Sequence, residues 1–437
     1  MSKLKNISGF PEWLPEQKIV EDRIIGIIRR IYQSYGFTPI ETPAVELLST
    51  LTSKGEIDKE IYVVKRLHAP EKEEAALALH YDLTVPFARY VAQHFSKLSF
   101  PFRRYQCQKS WRGERAQKGR FREFYQFDLD IIGRDTLPLA ADAEVISAMD
   151  QVFRTLDVGK HVMRVNNRKV LLGIYTSLGL SAEQAKGAIT AVDKIAKIGR
   201  AGVLKELTEK ITLDQNQAER ITDLAEVRIP PSDVEYILSN LDVDNKLFKQ
   251  GKDELVELIS LLPLVAQSNI QIDLSLARGL DYYTGTIVEV QMVDYPEFGT
   301  LAGGGRYDDL ASEFINKKLP GVGMTFGLTR FLDLVFNHNL LAVSEKTPVK
   351  VLVAVPSEEQ RPACNSLASE FRDAGVACEV FLGSQRIGKQ IEYADARGIP
   401  FVAFRNVEDE TVEIKDLTKK EQYKINVPDW CAENFRR

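Results

Sequence analysis

The order of secondary-structure signals along the chain limits its fold more than any single motif does. A mostly helical stretch, residues 171–269, lies between two strand-rich regions, and a third texture begins after Pro348. Within the helical stretch aromatic residues are scarce and helix starts recur. Thr212-Leu213-Asp214-Gln215 and Ser232-Asp233-Val234-Glu235 both fit the capping-box pattern. An inserted, mostly helical domain interrupting a larger domain of residues 1–340 is the natural expectation. Beyond Pro348, strand signals at 349–355, 377–381 and 401–404 alternate with helix signals at 358–374 and 385–397, which end at Gly375 and Gly398. That alternation predicts a small α/β domain, residues 348–437, with a largely parallel sheet. Near the start, Ile19, Val20, Ile24, Ile27, Ile28 and Ile31 recur at helical spacing over residues 17–35, and Gly36 stands where a helix C-terminus wants glycine. Pro39 and Pro43 make the next segment extended. Residues 123–133 and 286–293 read as strands, the second rich in β-branched residues.

With 437 residues the chain has room for two or three domains. No run approaches the ~20 apolar residues of a bilayer-spanning helix. The opening Met1-Ser2-Lys3-Leu4-Lys5-Asn6 carries no apolar secretory segment, so a cytoplasmic protein without a membrane partner is expected. Cys107, Cys364, Cys378 and Cys431 form no C-x-x-C pair, and the five histidines form no H-E-x-x-H. Neither a disulfide framework nor a metal held by protein side chains is indicated. Magnesium held mainly by substrate phosphates would leave no such trace.

The net charge of −5 hides a strong local imbalance. Residues 103–122 carry eight basic side chains against one acid, Glu114, and interleave them with Tyr105, Trp111 and Phe121. A basic run so mixed with rings suits phosphate binding better than a solvated face. In it, Arg112 and Glu114 form R-x-E ahead of a basic loop, and a hairpin would set Arg112 and Phe124 on neighbouring strands. Arg112 could then clamp a phosphate while Phe124 offers a face to a purine. Four further segments concentrate polar chemistry. Arg278-Gly279-Leu280-Asp281-Tyr282-Tyr283 lies just before a strand. Gly303-Gly304-Gly305-Arg306-Tyr307 reads as a glycine turn that lets the backbone approach a ligand. Gly321-Val322-Gly323-Met324-Thr325-Phe326-Gly327 runs into a helix with Arg330 in its first turns. Asp82 and Thr84, two apart, would share one side of an extended strand and could receive an ammonium group; a turn or helix cap is the alternative.

Taken in this order, the segments resemble the class II aminoacyl-tRNA synthetases, and within them the histidyl-tRNA synthetase family. The resemblance covers nearly the whole chain. YGFTPIETPAVE is similar to class motif 1, residues 102–127 to motif 2, and GVGMTFGLTRF to motif 3. LARGLDYYTG and AGGGRYD are similar to the two histidine-specific motifs.

The implied fold is an α+β catalytic domain built on an antiparallel sheet, with a helical insertion and a C-terminal α/β anticodon-binding domain. The implied activity is ATP-dependent ligation of L-histidine to tRNA(His) through a histidyl-adenylate, by a homodimer, with magnesium bound mainly through ATP phosphates. By the family pattern Arg112 holds the α-phosphate and the substrate carboxylate. Arg278 approaches the α-phosphate from the other side, and Arg330 binds the γ-phosphate. Glu114 and Phe124 take the adenine. Asp82, Thr84 and Gln126 receive the α-amino group. Asp130 and Tyr283 partner the imidazole, with Tyr282 and Tyr307 lining the same pocket. Arg115 and Gln117 meet the tRNA acceptor end. Asp82 and Asp130 stand where bacterial relatives often carry Glu, and His80 where Arg is expected. The alternative is a non-catalytic, synthetase-like regulatory subunit of histidine biosynthesis. Such chains tend to lose the ATP-clamping arginines and the anticodon domain, which this sequence retains.

Overall fold

A nine-stranded sheet organises the larger part of the molecule. The computed structural model describes residues 5–52, 60–70, 74–277, 283–308, 311, 314–343, 345–406 and 408–435. It divides into two units, one of Met1–Pro11 with Ile24–Leu340 and one of Glu12–Arg23 with Leu341–Arg437.

In the first unit β1 (Thr38–Pro39) is followed by a small antiparallel sheet of β2 (Val45–Leu47), β3 (Val63–Val64) and β4 (Leu77–Leu79), in the order β2–β4–β3. The large sheet adds β5 (Phe102–Trp111), β6 (Glu123–Ile132), β7 (His161–Asn167), β8 (Arg228–Ile229), β9 (Ile270–Asp273), β10 (Tyr283–Met292), β11 (Ala302–Tyr307) and β12 (Gly321–Phe326). Its order is β1–β5–β6–β12–β11–β10–β7–β9–β8. Every pairing from β5 through to β7 is antiparallel; β1 and β9 join parallel to their neighbours β5 and β7.

Strand alternation divides the residues of this sheet between two faces. On β6, Phe127, Leu129 and Ile131 point to the apolar side. There Tyr32, from the helix Pro15–Ser34, stacks edge-on against Phe127 at 5.2 Å. Phe153, from the helix Ala140–Leu156, meets Phe326 at 5.3 Å, and Phe331, from the helix Leu328–Asn337, meets it at 5.1 Å. The alternate residues of the same strands, Gln126, Asp128 and Asp130 on β6 with Arg104 and Gln106 opposite on β5, form a polar face. So the sheet spends one surface on the core and keeps the other for chemistry.

Residues 168–261 are mostly helical, and the short strands β8 and β9 carry the chain back to the large sheet. The helix starts differ from those read in the sequence. Asp214, not Thr212, is the N-cap, and its box closes with Gln217; Thr212 has φ 59° and ends the preceding turn. A second box, Ser181 with Gln184, opens the helix Ala182–Val192. At Ser232–Glu235 no box forms, because Pro231 starts a short 3₁₀ turn that leads directly into the helix Val234–Ser239.

The second unit carries β13 (Val351–Val353), β14 (Cys378–Val380), β15 (Phe401–Arg405), β16 (Val412–Asp416) and β17 (Glu421–Ile425), ordered β14–β13–β15–β16–β17. Three strands are parallel as expected, but β16 and β17 add an antiparallel hairpin, so the sheet is mixed. The Asp416 carboxylate makes that hairpin possible, accepting the backbone N–H groups of Thr418 and Lys419 at 2.8 and 3.0 Å. The closing helix, Val427–Asn434, drives Trp430 edge-on against Phe371 and Phe401.

Gly303–Gly305 is not a turn but the middle of β11, flanked on both sides. A Cβ on Gly304 would lie 1.9 Å from the carbonyl oxygen of Gly323. Gly304→Ala should therefore cost about 3 kcal/mol, at the upper end for overpacking, whereas Gly383→Ala, with open space around it, should cost almost nothing. Urea unfolding of the two variants checks this.

Candidate active site

The polar face of the large sheet opens into a small pocket lined by Thr84, Asp128, Asp130, Tyr283, Tyr307, Thr325 and the glycines 303, 304 and 323. Its floor is built around Arg104, which is fully buried on β5. Across the β5–β6 pairing its guanidinium lies 2.7 Å from Asp130 Oδ2 and 3.6 Å from Asp128 Oδ2. The opposite side of the guanidinium rests on the Phe87 ring, 4.0 Å from its centroid. Tyr307, reaching over from β11, donates its hydroxyl to Asp130 Oδ1 at 2.9 Å. Both oxygens of Asp130 are thus engaged. Burial pushes its carboxyl up, against the pull of Arg104 and the Tyr307 hydroxyl.

Missing side chains make room for these contacts. A Cβ on Gly323 would sit 1.9 Å from Asp130 Oδ1, and one on Gly321 would strike the Tyr307 ring at 2.3 Å. One on Gly305 would meet the Tyr283 ring at 2.9 Å. The glycines of β11 and β12 therefore serve close approach by neighbouring strands' side chains.

Asp82 and Thr84 lie at a helix start and not on a strand. Asp82 accepts the Val85 N–H at 3.2 Å as the helix Thr84–His94 begins. Burial raises its carboxyl pKa, with the Val85 N–H and Arg112 acting the other way. Gln126, on β6, is buried, its Oε1 without a hydrogen-bond partner. His80 is fully buried, its two ring nitrogens 3.1 Å from the Pro43 carbonyl oxygen and 2.6 Å from that of Lys109. It ties the chain before β2 to β5.

The residues that the sequence reading assigned to the nucleotide include several around the loop from β5 to β6. Arg112 leaves β5 with its N–H bonded to the Arg122 carbonyl at 2.9 Å, closing the loop. Its side chain donates to the Tyr81 carbonyl at 3.0 Å and covers Phe124, 5.1 Å from the ring centroid. Glu114 pairs with Arg120 at 3.1 Å. Arg115 and Gln117 are exposed on the loop, where Gln117 and Arg120 bridge their backbones. At the loop tip Gly119 is fastened to the motif 3 helix: its N–H donates to Asp333 at 3.1 Å and its carbonyl accepts from Arg330 Nε at 2.6 Å. Arg330 also donates to the Thr300 carbonyl at 2.7 Å.

Arg278 and Tyr282 lie outside the described residues. The chain up to Ala277 is held from β7: Asn166 donates to the Leu276 carbonyl and Arg168 to that of Ala277, both at 2.9 Å. The structure brings Thr84, Asp130, Tyr283 and Tyr307 to one pocket. It adds two residues that the sequence reading did not single out, Arg104 and Asp128. The available signal was the strand period: Arg104 faces Asp130 directly, and Asp128 is two residues before it on the same face.

Sheet and site together define a class II aminoacyl-tRNA synthetase catalytic core, followed by a C-terminal α/β unit. The family model for histidyl-tRNA synthetase matches residues 9–331, and the anticodon-binding-domain model matches residues 350–432. A histidine–tRNA ligase of Thermobifida fusca is 44% identical over 427 residues, 97% of either chain. The crystal structure of histidyl-tRNA synthetase from Nostoc sp. PCC 7120 superposes with a TM-score of 0.89 at 36% identity, covering 99% of both chains. A Bacillus halodurans structure described as an ATP phosphoribosyltransferase regulatory subunit/histidyl-tRNA synthetase shares the fold, at TM-score 0.74 and 21% identity, over 90% of this chain and 96% of its own. The chain belongs to the histidyl-tRNA synthetase family.

Removing Arg104 leaves two buried carboxyls without their cation. Arg104→Met should cost about 3–5 kcal/mol at pH 8. Folded carboxyl pKa values already raised by burial rise further without the arginine. The loss therefore grows as pH climbs above the unfolded carboxylate range and shrinks toward pH 5. Urea unfolding at the two pH values measures it.

Proposed function

We infer that this chain ligates L-histidine to tRNA(His) with ATP, through a histidyl-adenylate, releasing AMP and pyrophosphate. The observation that carries this reading is the pairing of a carboxylate-floored pocket with an arginine-rich loop on one sheet, in a chain of this family. The histidine carboxylate attacks the α-phosphorus and pyrophosphate leaves. A ribose hydroxyl of the tRNA's terminal adenosine then attacks the activated carbonyl and AMP leaves. The substrate supplies each nucleophile, so the protein's task is positioning and charge.

In this reading Arg112 and Arg278 flank the α-phosphate, Arg112 also meeting the substrate carboxylate. Arg330 holds the γ-phosphate, Glu114 accepts from the adenine amino group and Phe124 stacks on the ring. Asp82, Thr84 and Gln126 receive the ammonium; Asp130, Tyr282, Tyr283 and Tyr307 surround the imidazole. A neutral imidazole offers one donor and one acceptor, and a site that matches them rejects apolar isosteres. Magnesium binds mainly through the ATP phosphates, whose oxygens are the hard donors it prefers. Arg115 and Gln117 meet the acceptor end of the tRNA, and residues 350–432 read its anticodon. The regulatory-subunit reading is less supported: the chain keeps Arg112 and Arg330, and the anticodon-binding-domain model matches residues 350–432.

Charging of total tRNA with labelled histidine, against a non-cognate amino-acid panel, tests the whole reading; histidine-only charging is expected. In single-turnover adenylation, Arg112→Ala and Arg278→Ala should each lower the rate by about 10²–10³, the scale for losing one transition-state charge partner. Arg278→Ala should leave histidine affinity nearly intact. A rate within threefold of wild type removes that residue's role.

The same reading includes a homodimer. Val45, Leu47 and Leu77 expose an apolar strip on one side of the small sheet, where Leu47 and Leu77 stand opposite each other. Light scattering at micromolar concentration should give a dimeric mass, and Leu47→Asp should shift it toward the monomer.

A further inference from the structure

Asp128 has no part in the reading above, yet it lines the same pocket. It is only 2% exposed, stands two residues from Asp130 on β6, and its Oδ1 is buried without a hydrogen-bond partner. Its Oδ2 is 3.6 Å from Arg104, whereas the nearer guanidinium contact, at 2.7 Å, goes to Asp130. The two carboxyls are therefore unequal. Asp130 is satisfied on both oxygens by Arg104 and Tyr307; Asp128 lines the pocket beside the Thr325 hydroxyl and still leaves Oδ1 without a partner.

A buried orphan carboxylate oxygen is costly to leave alone. Among the described residues, the charges on the floor also fail to balance. Arg104 contributes one positive charge, and Asp128 and Asp130 contribute two negative, which leaves one negative charge on the floor. Asp82, ahead of the neighbouring helix, adds another carboxyl nearby, and that one faces Arg112 and His80. Tyr307 and Tyr283 approach from β11 and β10, and Tyr32 lies behind the sheet, but none of these brings a cation.

We propose that Asp128 is a specificity-determining residue that pairs with the second ring nitrogen of the substrate histidine, and that the ring and Asp128 together hold one proton more than neutral imidazole and carboxylate. Asp130 accepts the N–H of one ring nitrogen. The other nitrogen shares a proton with Asp128 Oδ1, as imidazolium facing carboxylate or as imidazole facing carboxylic acid. Either form brings the floor of Arg104, Asp128, Asp130 and the ring to zero net charge. Burial pushes the Asp128 carboxyl up to about 7, against Arg104 and with Asp130, so the group is poised to share a proton in the neutral range. A five-membered apolar ring or a singly hydrogen-bonding side chain leaves this oxygen orphaned, and the site rejects it for that reason.

The inference rests on the pocket's being the histidine site, and the test separates the two. At pH 8 neither free histidine nor free Asp128 holds much of the proton, so binding must draw one from solvent. Calorimetric titration of the full-length protein with histidine, in buffers of different ionisation enthalpy, should show uptake of nearly one proton for wild type and almost none for Asp128→Asn. The histidine KM in adenylation should rise nearly tenfold per pH unit between pH 7.5 and 8.5 for wild type and stay flat for the variant. Asp128→Asn should also raise KM at least tenfold at pH 7 while changing kcat less. Its melting temperature at pH 8 should equal or exceed wild type, because a carboxyl with a raised folded pKa weakens folding as pH rises. That result separates a substrate contact from a structural one. Unchanged proton uptake and KM in Asp128→Asn, with Asp130→Asn and Tyr307→Phe still raising KM, overturns the role of Asp128 and leaves the pocket standing. If none of the three variants changes KM, the pocket assignment itself fails.

Discussion

The buried contact between Arg104 and Asp130 is the constraint on which the site depends. A charge pair inside a sheet is a weak source of stability, since removing two ions from water costs about what their attraction returns. Its value here is position. Arg104 and Asp130 face each other directly across β5 and β6, so their attraction acts along the register of the two strands that also carry Arg112 and Phe124. The Tyr307 hydroxyl extends the contact to β11, and the Phe87 ring backs the guanidinium from the helix that begins at Thr84. Four separate segments of sequence thus converge on one cation. The orientation of each depends on contacts that the others supply.

The proposed nucleotide side is organised differently, through backbone groups. The basic loop closes on itself at Arg112 and Arg122, and its tip is fixed to the helix Leu328–Asn337 by one bond in each direction. Arg330 and Arg112 both spend donors on carbonyl oxygens. Such bonds hold the side chains in place without neutralising them. A guanidinium bonded to carbonyls keeps its full charge for a phosphate, whereas one paired with a carboxylate does not.

Much of this was legible in the sequence because period and punctuation are local properties. The helix ending before Gly36 forms over Pro15–Ser34, with Gly36 at φ 78°. The strands around the basic loop, the helices ending at Gly375 and Gly398, and the alternation after Pro348 stand where their residue patterns put them. What the sequence hid was decided by partners. Gly303–Gly305 reads as a turn in isolation and is a central strand because β10 and β12 enclose it. The pair β16–β17 is polar and exposed on its outer strand, so it lacks the apolar run that marks β13. The box at Ser232 failed to a proline whose fixed φ favours a tighter turn. Arg104 was counted among eight basic residues and is the one fully buried among them; only its place in the strand period, opposite Asp130, distinguishes it, and that pairing is made across the sheet. Asp128 escaped for a similar reason, as its importance lies in the absence of a partner.

The glycines beneath the pocket set a limit in one direction only. Positions 305, 321 and 323 already carry the smallest side chain there is, and the spaces above them hold the Tyr283 ring, the Tyr307 ring and the Asp130 carboxylate. No substitution at these positions can deepen the floor; each can only raise it. A methyl group added at any of them strikes that ring or carboxylate and displaces it, so a chain on this scaffold does not come to accept a smaller amino acid from below. To accept a larger one it must rebuild the walls, and those walls are the side chains that hold one another in register.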